Sequence, residues 1–260
     1  MARATTPRWL MCRQRRPSAK LRLYCFPHSG GSPGEYLRWS DRLPAEVEVW
    51  GVQLPGRGSR SGEPPLTGIP ELVEALVDQA EFTAPYAFFG HSMGAPLAYE
   101  TAQALRERGR AGPWQLLMSV NAPPHLHHPG LSLPELTEPD FAERVEKRYG
   151  PLPPGLADDP GLRERYLATL YADLTAVATY RPVPKEPLDC PVLALGGAQD
   201  WEDEDRLAEW RHHTTGPCEV RILPGGHFYF RDRPDAFFGT LSDHLTRLAH
   251  SLPGTRSVNP

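Results

Sequence analysis

Ser92 stands between two glycines in residues 90–94, directly behind an apolar run at 86–89 that is typical of a buried strand. A helix is predicted to begin at Gly94. The pattern G-x-S-x-G between a strand and a helix forms a sharp turn that exposes the serine hydroxyl, the nucleophile elbow. The helix N-terminus behind the turn favours a developing negative charge. The sequence therefore predicts that Ser92 is a catalytic nucleophile.

A serine nucleophile needs a base, and the base needs an acid that orients it; elbow enzymes supply them in the order serine, acid, histidine. His227 and Asp200 each follow a short β-like run that a glycine-rich turn ends. They are therefore expected at the carboxyl ends of strands, where open α/β sheets place their sites. Asp203 and Asp205 are alternatives to Asp200, but they lie in an acidic stretch that is typical of the solvated start of a helix.

The histidine-rich loop at residues 125–128 is a second group of side chains with possible chemistry. Three histidines could suggest metal ligands, but prolines bound the loop and no fourth ligand is in view. His91, inside the elbow, is interpreted as a packing residue. The sequence thus predicts neither a metal nor an organic cofactor.

These side chains must be positioned by a regular framework, and the chain alternates between strand-like and helix-like segments. Such alternation predicts an α/β fold with a mostly parallel central sheet flanked by helices. Strands are predicted at 21–26, 47–54, 86–89, 116–120, 190–195 and 219–223. Helices are predicted from about 33, over 69–82, from 94 to Gly109, and from about 234 to 250.

A helical pattern from about 132 to 180, broken at 151–155, interrupts this alternation just before the strand that delivers Asp200. An insertion at that point would lie over the sheet edge that carries Ser92. Two interpretations stay open: a lid that excludes water and shapes a pocket, or a static helical layer. We expect one domain over 20–250 with the lid inserted at about 131–182.

Composition excludes several classes of protein. The chain has 260 residues and a formal net charge of −4, which argues against nucleic-acid binding. No segment approaches the ~20 apolar residues of a membrane span. Its four cysteines lack paired spacing, which favours a reduced, cytoplasmic protein. Residues 1–19 are rich in arginine and proline without an apolar signal region and are predicted to be a disordered tail; 251–260 are predicted to be a C-terminal tail.

Four separated motifs carry a family likeness: LYCFPHSGG at 23–31, QLPGR at 53–57, FGHSMGA at 89–95 and GGHF at 225–228. Together with Ala172-Asp173, they resemble the type II (external, editing) thioesterases that accompany polyketide synthases and nonribosomal peptide synthetases. The resemblance spans about residues 20–250. It implies an α/β-hydrolase fold with a helical lid.

The same resemblance places the catalytic triad on Ser92, Asp200 and His227, the residues reached above. One oxyanion donor is the backbone N–H of the residue after the nucleophile, Met93. The resemblance puts the second donor at the backbone N–H of Ser29. His28 is a candidate substrate-binding residue, although it could equally cap its own loop.

The implied reaction is hydrolysis of short or aberrant acyl groups from the phosphopantetheine arms of acyl carrier proteins. The implied partners are carrier domains of a synthase, and the enzyme is expected to be a monomer. Arg57 and Arg60 are candidates to meet an acidic carrier, or are simply solvated. A general carboxylesterase or acyltransferase on the same scaffold is the alternative, and a non-catalytic ligand-binding homologue is a third class.

Overall fold

The computed structural model describes residues 9–128 and 138–252, and within them a seven-stranded sheet forms the centre of the fold. The strands are β1 (Leu10–Met11), β2 (Leu21–Phe26), β3 (Val47–Val52), β4 (Tyr86–His91), β5 (Gln115–Ser119), β6 (Val192–Gly197) and β7 (Cys218–Leu223). Their spatial order is β1-β3-β2-β4-β5-β6-β7. Only the β1–β3 pair among these strands is antiparallel. The expected mostly parallel sheet is confirmed.

Helices cover both faces of this sheet. They are α1 (Pro33–Leu37), α2 (Ile69–Gln79), α3 (Gly94–Glu107), α4 (Glu138–Tyr149), α5 (Pro160–Thr179), α6 (Glu204–Ala208), α7 (Tyr229–Asp232) and α8 (Pro234–Ser251). Alternate residues of β2 serve opposite faces: Tyr24 packs with α2 and α3, whereas Leu23 packs with α1 and α8. Strands buried on both sides read as continuous apolar runs, which is why their positions were predictable.

The carboxyl edge of the sheet collects the three predicted catalytic residues. Ser92 follows β4 directly, Asp200 comes three residues after β6, and His227 comes four residues after β7. Because β4, β5, β6 and β7 are adjacent and parallel, these ends lie side by side. β6 begins at 192 rather than at the predicted 190, since Pro191 has no N–H to donate to the ladder.

The predicted disorder of residues 1–19 is wrong for the described part of that segment. β1 pairs with β3, and Trp9 is only 2% exposed, its indole N–H donating to the Gln79 side chain. The Arg16 guanidinium donates to backbone carbonyls, including that of Val47. These long-range contacts order a segment whose composition gives no such signal. Residues 1–8 lie outside the described residues.

At the other end, the expected tail from 251 begins inside a helix. Ser251 is the last residue of α8, and Leu252 is 9% exposed against the sheet's helical layer. Residues 253–260 lie outside the described residues.

The helical stretch between β5 and β6 is confirmed where the structure describes it. α4 and α5 pack on each other through a small apolar cluster of Phe141, Ala142, Val145, Leu167, Leu170 and Leu174. This cluster is separate from the two that cover the sheet. The start of the expected lid, up to residue 137, lies outside the described residues.

Candidate active site

The elbow at Ser92 has the backbone that the motif demands. Ser92 adopts a positive φ of 54°, and its N–H donates to the Ser119 carbonyl at 2.9 Å. A Cβ on Gly90 would lie 2.2 Å from the carbonyl oxygen of Gly94, and one on Gly94 would lie 2.1 Å from that of Phe26. Both flanking positions therefore require glycine, because no heavier residue fits without moving backbone.

His227 and Asp200 form a buried pair. The imidazole Nδ1–H donates to Asp200 Oδ2 at 2.8 Å, and the two side chains are 6% and 0% exposed. This bond leaves Nε2 as the imidazole's proton acceptor. The two other candidates for the orienting acid lie elsewhere. Asp203 caps α6 by accepting from the N–H of Arg206, and Asp205 is inside that helix. The structure thus brings Asp200 to the histidine.

Aromatic side chains cover the imidazole. Trp201 stacks on His227 with ring centroids 4.3 Å apart, and Tyr149 approaches the same ring at 5.6 Å. Burial lowers the pKa of His227, although the hydrogen bond that its imidazole donates to Asp200 opposes that shift. The ring is therefore neutral near pH 7 and able to accept a proton.

Ser92 and His227 both line one cavity of about 860 Å³. Met93, Ser29 and His28 line it as well, as do residues of α4 and α5. Within residues 9–128 and 138–252, no hydrogen bond joins the Ser92 hydroxyl to the imidazole. The predicted nucleophile and base thus line the same cavity without a direct hydrogen bond, and such pairs often align only when substrate completes the geometry.

His28 lies at the centre of a polar cluster that the sequence did not reveal. Its Nδ1–H donates to the Ser29 carbonyl at 2.9 Å, so its Nε2 accepts from the Arg231 guanidinium at 3.0 Å. The same guanidinium binds both oxygens of Glu35, at 2.6 and 2.7 Å. Burial alone would raise the pKa of Glu35, but the paired hydrogen bonds from Arg231 outweigh it and lower that pKa to about 2.

Arg57 and Arg60 are not the surface residues that the sequence suggested. They are 7% and 5% exposed, and each is paired, Arg57 with Asp173 and Arg60 with Glu63. Both arginines are therefore buried in ion pairs and are not exposed for contact with a carrier domain. Asp173 was noticed as part of a motif, but its partner, 116 residues away in the chain, could not be inferred from spacing.

His91 is fully buried, as expected for a packing residue. Its Nδ1 lies 2.8 Å from the Ser119 hydroxyl, and its ring meets the edge of Phe230. Burial holds the pKa of His91 well below its usual value, so the ring is neutral.

The histidine-rich loop contacts protein rather than forming a metal cage. His125 lies against His213 and Glu209, while His127 donates to the carbonyl of Val177 on α5. Across the described residues, no group of three or more His, Cys, Asp or Glu side chains is arranged to hold a metal ion. None of the helices in those same residues is long and apolar enough to span a membrane.

Comparison with known proteins gives a consistent result. The family model of the thioesterase domain matches residues 21–245. The thioesterase PikA5 of Streptomyces venezuelae is 38% identical over 248 residues, covering 94% of this chain and 87% of that protein.

Solved structures agree with the sequence relatives. RedJ, a thioesterase from the prodiginine pathway of Streptomyces coelicolor, superposes with a TM-score of 0.81 at 38% identity, covering 88% of this chain and 92% of RedJ. BorB, the type II thioesterase of the borrelidin biosynthetic cluster, also gives a TM-score of 0.81, at 33% identity and 91% and 97% coverage.

Proposed function

This chain belongs to the thioesterase family, and on that premise we propose that it is a free-standing editing enzyme of polyketide or nonribosomal peptide synthesis. It hydrolyses short or aberrant acyl groups from the phosphopantetheine arms of acyl carrier proteins. The likeness to BorB, a type II thioesterase of a biosynthetic cluster, supports this assignment. The observation that carries it is the buried Asp200–His227 pair facing the cavity that Ser92 lines.

In the first half-reaction, the Ser92 hydroxyl attacks the thioester carbonyl while Nε2 of His227 takes its proton. Asp200 holds the imidazole in the required tautomer and stabilises the imidazolium that forms. The tetrahedral oxyanion accepts hydrogen bonds from the backbone N–H groups of Met93 and Ser29. The carbon–sulfur bond then breaks, and the imidazolium gives its proton to the leaving thiolate. An acyl-Ser92 ester remains.

In the second half-reaction, water attacks the ester carbonyl as His227 takes one of its protons. The second tetrahedral intermediate uses the same two N–H groups. Its collapse breaks the bond to Ser92, whose oxygen recovers the proton, and the free acid leaves. The proton that Ser92 loses to the thiol is replaced by one from water, so the enzyme ends in its starting state and the cycle needs no metal or organic cofactor; the substrate brings its own phosphopantetheine arm.

The insertion at about 131–182 acts as a lid in this scheme. Residues of α4 and α5 line the same cavity as Ser92, and a cavity of about 860 Å³ suits a small acyl chain with part of its arm. Shielding the site from bulk water strengthens the electrostatic contacts to the oxyanion. His28, beside Ser29, would contact the acyl group. The enzyme works as a monomer, and its single domain extends from β1 through α8.

The direct test is a hydrolysis panel of acetyl-, propionyl- and longer acyl-carrier proteins, run beside oxygen esters of the same acids. We expect turnover of the carrier thioesters and its loss, by at least about 10³-fold, in Ser92→Ala. Circular dichroism on the same variant should show an intact fold. Hydrolysis of oxygen esters with none of carrier thioesters would favour a general carboxylesterase. Near-normal rates in Ser92→Ala would overturn the proposed mechanism.

A further inference from the structure

We propose that Asp173, on α5, is a positioning residue for the oxyanion site: its carboxylate holds the loop that carries Ser29 in the geometry that catalysis needs. This inference rests on the proposed function, because it takes the Ser29 N–H as an oxyanion donor. It assigns a role in the chemical step to a residue of the lid that does not itself reach the reacting atoms.

The contacts of Asp173 are short and complete. Its side chain is 0% exposed. Oδ2 accepts from the backbone N–H of Gly30 at 2.7 Å and from Arg57 Nη1 at 2.6 Å, and Oδ1 accepts from Arg57 Nη2 at 2.6 Å. The carboxylate therefore binds the residue directly after Ser29 and is itself held by a bidentate arginine.

Arg57 holds the same loop at a second residue. The same Nη1 that binds Asp173 also donates to the Gly31 carbonyl at 3.1 Å. The loop is thus held at two consecutive residues, by its N–H at Gly30 and by its C=O at Gly31. Because the ion pair is buried, each partner is costly to leave alone, and charge-assisted bonds of this kind are among the strongest in proteins.

α5 also restricts the loop sterically. Gly30 adopts a φ of +72°, and a Cβ there would lie 3.0 Å from the hydroxyl of Tyr166 and 3.1 Å from Leu170, both on α5. The helix therefore packs directly on the glycine whose N–H it binds. The loop and the helix therefore pack against each other beside the cavity that α5 lines.

A displacement of this loop would destabilise the transition state. Oxyanion donors act when they lie about 2.7–3.1 Å from the oxygen, and a displacement of about 1 Å can cost about 10²-fold in rate. Substrate binding before reaction depends far less on this distance. Loss of the Asp173 carboxylate should therefore lower kcat while leaving KM nearly unchanged.

The experiment compares Asp173→Ala and Asp173→Asn with wild type on a p-nitrophenyl ester and on acyl-carrier thioesters. Asp173→Ala should lower kcat by about 10- to 100-fold with KM within about twofold. Asp173→Asn should lose less, because its amide oxygen still accepts from Gly30. Glu63→Gln is the matched control, since it removes the carboxylate of the other buried arginine, Arg60, without touching residues 28–31. Its kcat should not change.

A transition-state analogue separates positioning from general damage. The affinity for an alkyl trifluoromethyl ketone should fall by the same factor as kcat, whereas affinity for the product acid should not. An unchanged kcat in both Asp173 variants, or a loss confined to KM, would overturn the inference. Asp173→Asn supplies the answer if the alanine variant fails to fold. Wild-type turnover of the p-nitrophenyl ester without turnover of carrier thioesters would refute the proposed function but still test Asp173.

Discussion

The indole of Trp201 lies nearly parallel to the imidazole of His227, with the two planes 17° apart and the ring centroids separated by 4.3 Å. Trp201 directly follows Asp200, so one turn after β6 supplies both the acid that orients the base and the ring that covers it. The Arg148 guanidinium, from α4, lies 4.5 Å from the indole centroid on the same aromatic cluster. The helical insertion therefore contacts His227 directly through Tyr149 and indirectly through Trp201.

The environment of His227 predicts the pH dependence of the wild-type enzyme. Burial disfavours the imidazolium and lowers the pKa of this histidine below its ordinary value of about 6.5. In the proposed mechanism the neutral ring is the base, so activity rises as pH increases through that lowered pKa. The acidic limb of kcat/KM should thus lie below pH 6.5. A limb above pH 7 would contradict this account.

Removal of the indole should move that limb. In Trp201→Ala, water reaches the imidazole and stabilises its charged form, so the pKa rises and the acidic limb shifts to higher pH. The ratio of kcat/KM at pH 8 to that at pH 6 should therefore increase. Trp201→Phe keeps a ring over the imidazole, so its acidic limb should lie between those of wild type and Trp201→Ala. The same limb in all three proteins would show that Trp201 does not control solvation of the base.

Asp200→Asn should keep the fold and lose most of the activity. An amide can donate to Nδ1 and so hold the imidazole in the tautomer with its proton on Nε2, which cannot accept the proton of Ser92. The expected loss in kcat is about 10⁴-fold. Asp203→Asn is the control, because that side chain caps α6 instead of contacting His227. Comparable losses in the two variants would mean that Asp200 is not the orienting acid.

Gly94→Ala should damage both stability and activity. The new Cβ would lie 2.1 Å from the Phe26 carbonyl, so β2 or the start of α3 must move, and the elbow moves with it. We expect a lower Tm and a kcat reduced by at least about 10²-fold. Gly239→Ala, in the exposed middle of α8, meets nothing within 4 Å and should instead stabilise by about 0.5–1 kcal/mol. Thermal unfolding and esterase assays check both variants.

Glu35→Gln should reduce stability in a pH-dependent manner. The pKa of Glu35 is about 2 in the fold, against 4.5 as its ordinary value, so its contribution is present above pH 5 and is lost as pH falls toward 2. Wild type should therefore be more stable than the variant at pH 6. The difference in unfolding free energy between the two proteins should be larger at pH 6 than at pH 3 by on the order of 2 kcal/mol. Urea titrations at both values measure this.

Glu74→Gln is a control for the loss of any carboxylate. Glu74 pairs with Arg108 at the surface with a side chain that is 67% exposed, and such pairs contribute little. Its unfolding free energy should stay close to that of wild type at both pH values. A pH-independent effect of Glu35→Gln would mean that the ion pair with Arg231 is not what stabilises the charged carboxylate.

Local patterns were enough to predict the sheet and the helices on both of its faces. Apolar runs, glycine-rich turns and the position of Ser92 between strand and helix are all visible within about ten residues of sequence. The short strand at Leu10–Met11 was not predicted, because two residues are too few to show the alternating pattern of a strand. What orders that segment is the burial of Trp9 against distant parts of the chain.

The amino-acid order alone predicted the reaction class, since a serine elbow followed by an acid and a histidine at strand ends is typical of acyl transfer. The tertiary structure decided which charges face which. It buried Arg57 against Asp173 across 116 residues and joined Arg231 to Glu35 across 196. Such pairs leave no trace in spacing because the free energy of a charge depends on its surroundings in space. Those surroundings exist only once the chain has folded.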